Sequence, residues 1–317
     1  MDVVTLGETM VLFTPESEGY MRYSANFSAK VAGAESNVAI GLARLGHNSG
    51  WISRLGDDEF GKKVHTFIRG EGVDVSTVRF KESASTGLYF KEMVTDDEVR
   101  VHYYRKESAA SLMTPQDLNE DYIASAKYLH ITGITPALSE SCRKTVMKAV
   151  EFAKKHEVTV VFDPNLRRKL WSEEQARKAL LEIAFKADIV LPGLDEGVFL
   201  FGQNNPEMMA KQLYAHGVSQ IVIKLGAQGA YYYSKDGKGT IPGFPVKRVI
   251  DPVGAGDGFA VGLLSGLLDK LSLKKAVERA AAVGAMATKV SGDVEGLPER
   301  ERLESFINGT TQGDVNR

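Results

Sequence analysis

Asp257 closes the stretch Asp251-Pro-Val-Gly-Ala-Gly-Asp257 and stands directly before Gly258-Phe-Ala-Val-Gly-Leu-Leu-Ser-Gly266. Glycines on either side of Ala255 allow a tight turn and a close backbone approach to a ligand. The small, apolar run that follows reads as the start of a buried helix. The first N–H groups of a helix lack internal partners, and the dipole there is positive, so such an end holds anions. A carboxylate set into it could take a proton while the N–H groups hold a developing negative charge. The same residues would also make an ordinary N-cap on a glycine turn, and the rest of the chain has to separate the two.

A second group lies on a candidate hairpin. Thr86–Val94 and Val99–Arg105 both alternate in polarity, with a turn at Thr95-Asp-Asp-Glu98 between them. Successive strand residues face opposite sides, so Tyr103 and Arg105 share a face that Tyr104 does not, and Tyr89 on the partner arm can join it. Two phenols and a guanidinium on one surface suit a polar ligand carrying a carboxylate or phosphate, although tyrosine is a common strand residue in any case. A third candidate is Arg167, which follows Phe162-Asp-Pro-Asn165 at the C-terminal end of an apolar run, the end at which open α/β sheets bind ligands. His102, His130 and Cys142 read as packing or surface residues.

The elements that must position these groups alternate. Short β-branched runs at Val3–Leu6, Tyr128–Thr132, Thr159–Phe162, Ile189–Leu191 and Ile221–Ile223 fit strands buried on both faces. Helical patterns lie between or after them at 35–45, 139–156, 172–187, 206–216 and 273–289. This order predicts an α/β fold with a mainly parallel central sheet and helices on both faces. Two stretches break the rhythm, about 9–31 and about 86–106, and are expected to form a small antiparallel sheet inserted in a single domain that spans 1–317. The last residues, 308–317, read as a loose tail.

Composition narrows the function. The chain has 317 residues, 43% hydrophobic and 25% charged, with a formal net charge of −2. That balance favours neither nucleic acid nor an anionic membrane. One cysteine excludes an intrachain disulfide and a cysteine-rich metal site, and fits a reducing cytoplasm. The six histidines show no metal-ligand spacing. No apolar run approaches the roughly 20 residues needed to span a bilayer, and no signal peptide is visible at the start.

Taken together, these pieces resemble the ribokinase-like carbohydrate kinases over almost the whole chain. Ala32-Gly-Ala-Glu-Ser-Asn-Val-Ala39, Ser53-Arg-Leu-Gly-Asp-Asp-Glu-Phe-Gly61, Phe162–Arg167, Lys224-Leu-Gly-Ala-Gln-Gly229 and Asp251–Phe259 occur in the order of that family. The resemblance implies a three-layer sandwich with a β lid and transfer of the ATP γ-phosphate, with Mg2+, to a sugar hydroxyl. It implies Asp257 as catalytic base and Gly254, Ala255 and Gly256 as anion hole. It further implies Gly33, Ala34 and Asn37 beneath the sugar, and Asn165, Arg167, Lys224, Gly226, Gly229, Gly254 and Gly256 toward ATP. Glu196 would act indirectly on Mg2+, and Asp251, with backbone oxygens near Val253, Val290 and Gly292, matches the family's monovalent-cation region, where K+ would bind. Two positions depart from the pattern: Ala32 replaces the first of two glycines, and Gly193 stands where asparagine is usual, leaving water or Asp195 to fill its place.

Tyr103–Ala110 and Asn165-Leu-Arg167 are similar to the 2-keto-3-deoxygluconate kinases of that family. This similarity implies a sugar acid as substrate, held by Tyr89, Tyr103, Arg105 and Arg167, with Arg167 alternatively on the ATP phosphates. Other sugar kinases, for fructose, 5-keto-2-deoxygluconate or 2-keto-3-deoxygalactonate, and a non-catalytic sensor on the same fold, are the competing expectations. An apolar lid face would support a homo-oligomer.

Overall fold

The computed structural model describes residues 1–309 apart from 18, 96 and 97. The two central residues of the turn expected at 95–98 and most of the tail expected at 308–317 therefore lie outside the described residues. Fourteen strands are present among those described: β1 (Val3–Leu6), β2 (Met10–Pro15), β3 (Phe27–Ala32), β4 (Ser49–Ile52), β5 (Arg54–Gly56), β6 (Arg79–Lys81), β7 (Leu88–Thr95), β8 (Glu98–Tyr104), β9 (Tyr128–Thr132), β10 (Thr159–Asp163), β11 (Ile189–Val190), β12 (Gln220–Lys224), β13 (Ala230–Ser234) and β14 (Gly237–Ile241). The helices are α1 (Ala34–Arg44), α2 (Glu59–Gly70), α3 (Glu120–Ala124), α4 (Ile134–Leu138), α5 (Glu140–Lys155), α6 (Glu173–Ala184), α7 (Leu194–Phe201), α8 (Pro206–Ala215), α9 (Ala255–Leu268), α10 (Leu273–Ala287) and α11 (Arg300–Ile307).

Eight strands form the main sheet in the order β14-β13-β12-β11-β10-β9-β1-β4. From β12 to β4 every pairing is parallel, while β13 and β14 add an antiparallel edge. The apolar runs of the central strands are buried on both sides, as their continuity predicts. Val3, Val161 and Val222 pack on one face with residues of α1, α9 and α10. Their chain neighbours Val4, Val160 and Ile221 pack on the other face with residues of α5, α6 and α8. This period of two is what makes three layers from one sheet.

The second sheet has the order β3-β2-β7-β8 and comes from the two stretches that broke the α/β rhythm. It is not wholly antiparallel as expected: β2 pairs with β7 in parallel, because the two strands belong to separate excursions from the main sheet and not to one hairpin. Both excursions end in the site. β3 runs directly through Gly33 into α1, and β8 stops one residue before Arg105.

Candidate active site

α9 begins at Ala255, three residues earlier than the apolar run alone suggests. Its N-cap is Gly254, held in the left-handed region at φ +81°, and a Cβ there would lie 2.8 Å from the Asp293 carbonyl. Only glycine makes this turn without strain. The turn leaves the N–H groups of Gly256 and Asp257 without partners in the helix, and no bond from either to another part of the described chain is present. Asp257 therefore stands inside the first turn of a positive helix end.

The carboxyl of Asp257 is buried, and burial pushes its pKa up to about 7; the nearby acids Asp293 and Asp163 push the same way. Two groups oppose the shift: Asn37 Nδ2 donates to Asp257 Oδ2 at 2.7 Å, and Arg167 acts from further off. Asn37 comes from the first turn of α1, so the lid-to-helix junction at Gly33 is tied to the helix that carries Asp257. Gly33 is needed there for closeness, since a Cβ would lie 2.5 Å from the Glu8 carbonyl.

Two cavities meet at this helix end. One, of about 410 Å³, is polar; it is lined by Gly33, Ala34, Tyr89, Tyr103, Arg105 and Asp257 among others, and also by Asn165, Arg167 and Glu196. The other, of about 670 Å³, is mainly apolar and is lined by Gly226, Gly229, Phe244, Val249, Phe259 and Ala285 among others. Lys224, Pro252 and Gly256 line both. A Cβ on Gly256 would meet nothing nearer than Lys224 Nζ, at 3.7 Å, so the passage between the cavities runs past a free helix N-terminus and an ammonium group. Lys224 Nζ is held by both oxygens of Asp163, at 2.8 and 2.7 Å.

The lid forms the roof of the polar cavity. Tyr89 and Tyr103 are cross-strand partners with stacked rings, 5.5 Å apart, and the Arg105 guanidinium lies 5.4 Å from the Tyr103 ring centre. The three share a face, as the alternation predicts. Arg105 is not a free cation, however. Its Nε donates to Glu8 Oε2 at 2.7 Å, and the pair is buried. Glu8 was not anticipated from the sequence; it sits in a short link between β1 and β2 that carries no pattern. Arg167 is exposed and makes no ion pair among the described residues.

Asp293 is a second unanticipated lining residue. Burial and the neighbouring Asp251 and Glu295 push its pKa up to about 6, against the pull of Lys91. Tyr89 Oη donates to its Oδ2 at 3.5 Å, and its Oδ1 has no partner among the described residues. Asn165 is in a left-handed conformation at φ +36°, uncommon for a non-glycine residue and a frequent mark of functional loops.

The metal expectations meet a mixed outcome. Glu196 lines the polar cavity, but both its oxygens accept backbone N–H groups, from Leu166 at 2.8 Å and Gly193 at 2.7 Å. Among the described residues no group of three or more acidic, histidine or cysteine side chains could hold a metal ion by itself. That donor set fits a Mg2+ bound mostly through phosphate oxygens and water, with one or two carboxylates nearby. Asp251 does not fit a monovalent metal ion: its carboxylate accepts Lys91 Nζ at 2.5 Å and the N–H groups of Val253 and Gly292 at 3.1 and 3.4 Å. The region is already supplied with a cation.

The family model for pfkB carbohydrate kinases matches residues 1–300. The chain belongs to the pfkB family of carbohydrate kinases. It is 43% identical over 310 residues to a 2-dehydro-3-deoxygluconokinase of Bacillus subtilis, covering 97% of this chain and 96% of that protein. It is 35% identical over 317 residues to fructokinase-2 of Solanum lycopersicum, covering 97% and 96%. An Escherichia coli protein described as a ribokinase II, solved with ATP and Mg2+, superposes with a TM-score of 0.90 at 27% identity, covering 97% of this chain and 99% of that one. No helix among the described residues of this kinase is long and apolar enough to cross a membrane.

Proposed function

We propose that this kinase transfers the γ-phosphoryl group of ATP to the terminal hydroxyl, O6, of 2-keto-3-deoxygluconate (2-dehydro-3-deoxygluconate). The observation that carries the reading is the buried carboxyl of Asp257, with a pKa of about 7, at the junction of a polar and an apolar cavity. A base titrating near the working pH has the best compromise between being deprotonated and being basic.

Adenine and ribose fill the apolar cavity beside Phe244, Val249 and Ala285, and the phosphates run past Gly226 and Lys224 to the α9 N-terminus. The sugar acid lies under Tyr89 and Tyr103 with O6 at Asp257. Asp257 takes the O6 proton as that oxygen forms its bond to the γ-phosphorus, and the bond to the ADP oxygen breaks. The Gly256 and Asp257 N–H groups and the Lys224 ammonium hold the charge on the transferring group, which is most of what such a reaction asks of a protein. Asp163 and Glu196, which line the polar cavity, would hold Mg2+ through water, and the ion would supply neutralisation of phosphate charge.

The sugar carboxylate meets Arg105. A guanidinium has five N–H donors, so pairing with Glu8 fixes its plane and leaves donors for the ligand. Arg167, which acts electrostatically on Asp257, belongs to the transfer end and meets phosphate. The 43% identical relative supports the keto-acid, and the fructokinase relative supports a neutral sugar as second reading. ADP release measured side by side with 2-keto-3-deoxygluconate, 2-keto-3-deoxygalactonate and fructose tests the choice. A higher kcat/KM for fructose would sink it.

The lid exposes Tyr23, Met93, Val99 and Tyr104, apolar surface spread over both faces of β7–β8, which supports self-association through the lid. A buried free thiol at Cys142 and the use of ATP suit the cytoplasm.

A further inference from the structure

The lid reaches the phosphate end of the site through two ammonium groups. Lys91, on β7, is buried, and its Nζ lies 2.5 Å from Oδ2 of Asp251. Lys30, on β3, donates to the Ser291 carbonyl at 3.0 Å and pairs with Glu295 at 3.2 Å. These lysines engage the carboxylate and the neighbouring loop to which the sequence assigned a monovalent metal ion. Acids crowd the region: Asp251, Asp293 and Glu295 act on one another, and Lys91 is the cation that opposes them at Asp293. Buried carboxylates without a counter-charge are costly. An ammonium is a compact single positive charge with three donors, which is the charge an alkali ion would bring.

The contact also has a route to the chemistry. Asp251 Oδ1 holds the Val253 N–H at 3.1 Å, one residue before the left-handed Gly254 that opens the anion hole. Lys91 lies two residues after Tyr89, on the same face of β7, and both line the polar cavity. Seating the lid therefore seats the ammonium.

We propose that Lys91 is the resident cation of the anion hole. It is a positioning residue: its ammonium neutralises Asp251 and fixes the turn that aims Gly254–Asp257, so the kinase turns over without a monovalent metal ion. A rival role for Lys91 is to bind the sugar carboxylate directly, since it lines the same cavity.

The test uses the full-length enzyme with choline, Na+, K+ or NH4+ as the monovalent ion, reading ADP release with the best sugar of the panel above. Wild-type rates are expected to agree within about twofold across the series, whereas Lys91→Met loses about tenfold or more in kcat in choline and regains most of it, saturably, with K+ or NH4+. The sugar KM of the variant stays within about threefold. Melting without sugar or nucleotide gives a second readout: K+ raises Tm over choline in Lys91→Met and not in wild type, because an ion that binds the native state stabilises it.

More than about fivefold activation of wild type by K+, or a K+-dependent rise in its Tm, overturns the proposal. So does a Lys91→Met enzyme with a raised sugar KM, unchanged kcat and no ion response. The wild-type ion series decides the question if the variant does not fold. The melting arm needs no substrate, so its outcome stands whichever sugar the enzyme accepts.

Discussion

As the base proposed above, Asp257 would be costly to the fold in its charged state. Its native pKa is about 7, against about 3.9 for an unfolded aspartate. Between those values the unfolded chain has released a proton that the native state keeps, so stability falls as pH rises through this window. Asp257→Asn is therefore expected to abolish turnover, by about 1,000-fold or more, while raising Tm by a few degrees at pH 8. A pH–rate profile of the wild type should rise with pH, with an acid limb near 7. Activity within tenfold of wild type in Asp257→Asn would remove Asp257 from the base role. Arg105 carries the substrate question. Arg105→Ala should raise KM for the keto-acid by about 10–100-fold and leave that for fructose within about threefold, the difference between losing a charged hydrogen bond and losing none. Equal effects on both would mean that Arg105 serves only to hold Glu8. At this scale the motif residues were readable because each lies in a local pattern. Glu8 and Asp293 were not, because their partners Arg105 and Tyr89 are distant in sequence and nothing in the chain links them before it folds; Asp163 lies inside the Phe162–Arg167 motif, but its pairing with the distant Lys224 was hidden in the same way.

At the scale of elements, the N-terminus of α9 separates two glycines that look alike in the sequence. Gly254 needs its left-handed φ of +81° and lies against the Asp293 carbonyl, whereas Gly256 is helical and faces open space toward Lys224. Gly254→Ala should thus cost about 1–2 kcal/mol of stability for the backbone alone, read as a lower Tm, and lose activity with it. Gly256→Ala should leave Tm nearly unchanged, yet reduce kcat/KM for ATP by about tenfold or more, because its methyl group stands in the phosphate passage. Melting curves and kinetics on the two variants check the contrast; a Gly256→Ala enzyme with normal ATP kinetics would move the phosphate path elsewhere. The central strands and most helices were legible because their periods are clean. The antiparallel edge β13–β14 was not, because Tyr231–Tyr233 are three identical residues with no alternation of polarity to read and the Lys224–Gly229 loop before them reads as a ligand turn. β4, Ser49-Gly-Trp-Ile52, was hidden by its polar and glycine start. The parallel β2–β7 pairing could not be read either, since local alternation fixes that a segment is a strand and not which strand it meets.

For the whole molecule, the consequence of the architecture is division of labour. The main sheet and its helices build the apolar cavity from β12, α9 and α10, while the second sheet roofs the polar one; the shared wall is confined to Lys224, Pro252 and Gly256. Two ligands that meet only across such a wall should be recognised independently and coupled only at the reacting phosphate. Ala285, partly exposed on α10, lines the apolar cavity alone. Ala285→Phe should fill it, raising KM for ATP by about tenfold or more while the sugar KM stays within about twofold. Tyr103→Ala on the lid should do the reverse, since Tyr103 lines only the polar cavity and its loss removes a stacked roof without touching the nucleotide. Because both side chains are partly exposed, neither change should shift Tm by more than about 1–2 °C, and a larger shift would show that the kinetics report on folding. If Ala285→Phe raised both Michaelis constants together, the two cavities could not be separate sites, and the order of sugar and nucleotide along the α9 N-terminus would have to be redrawn.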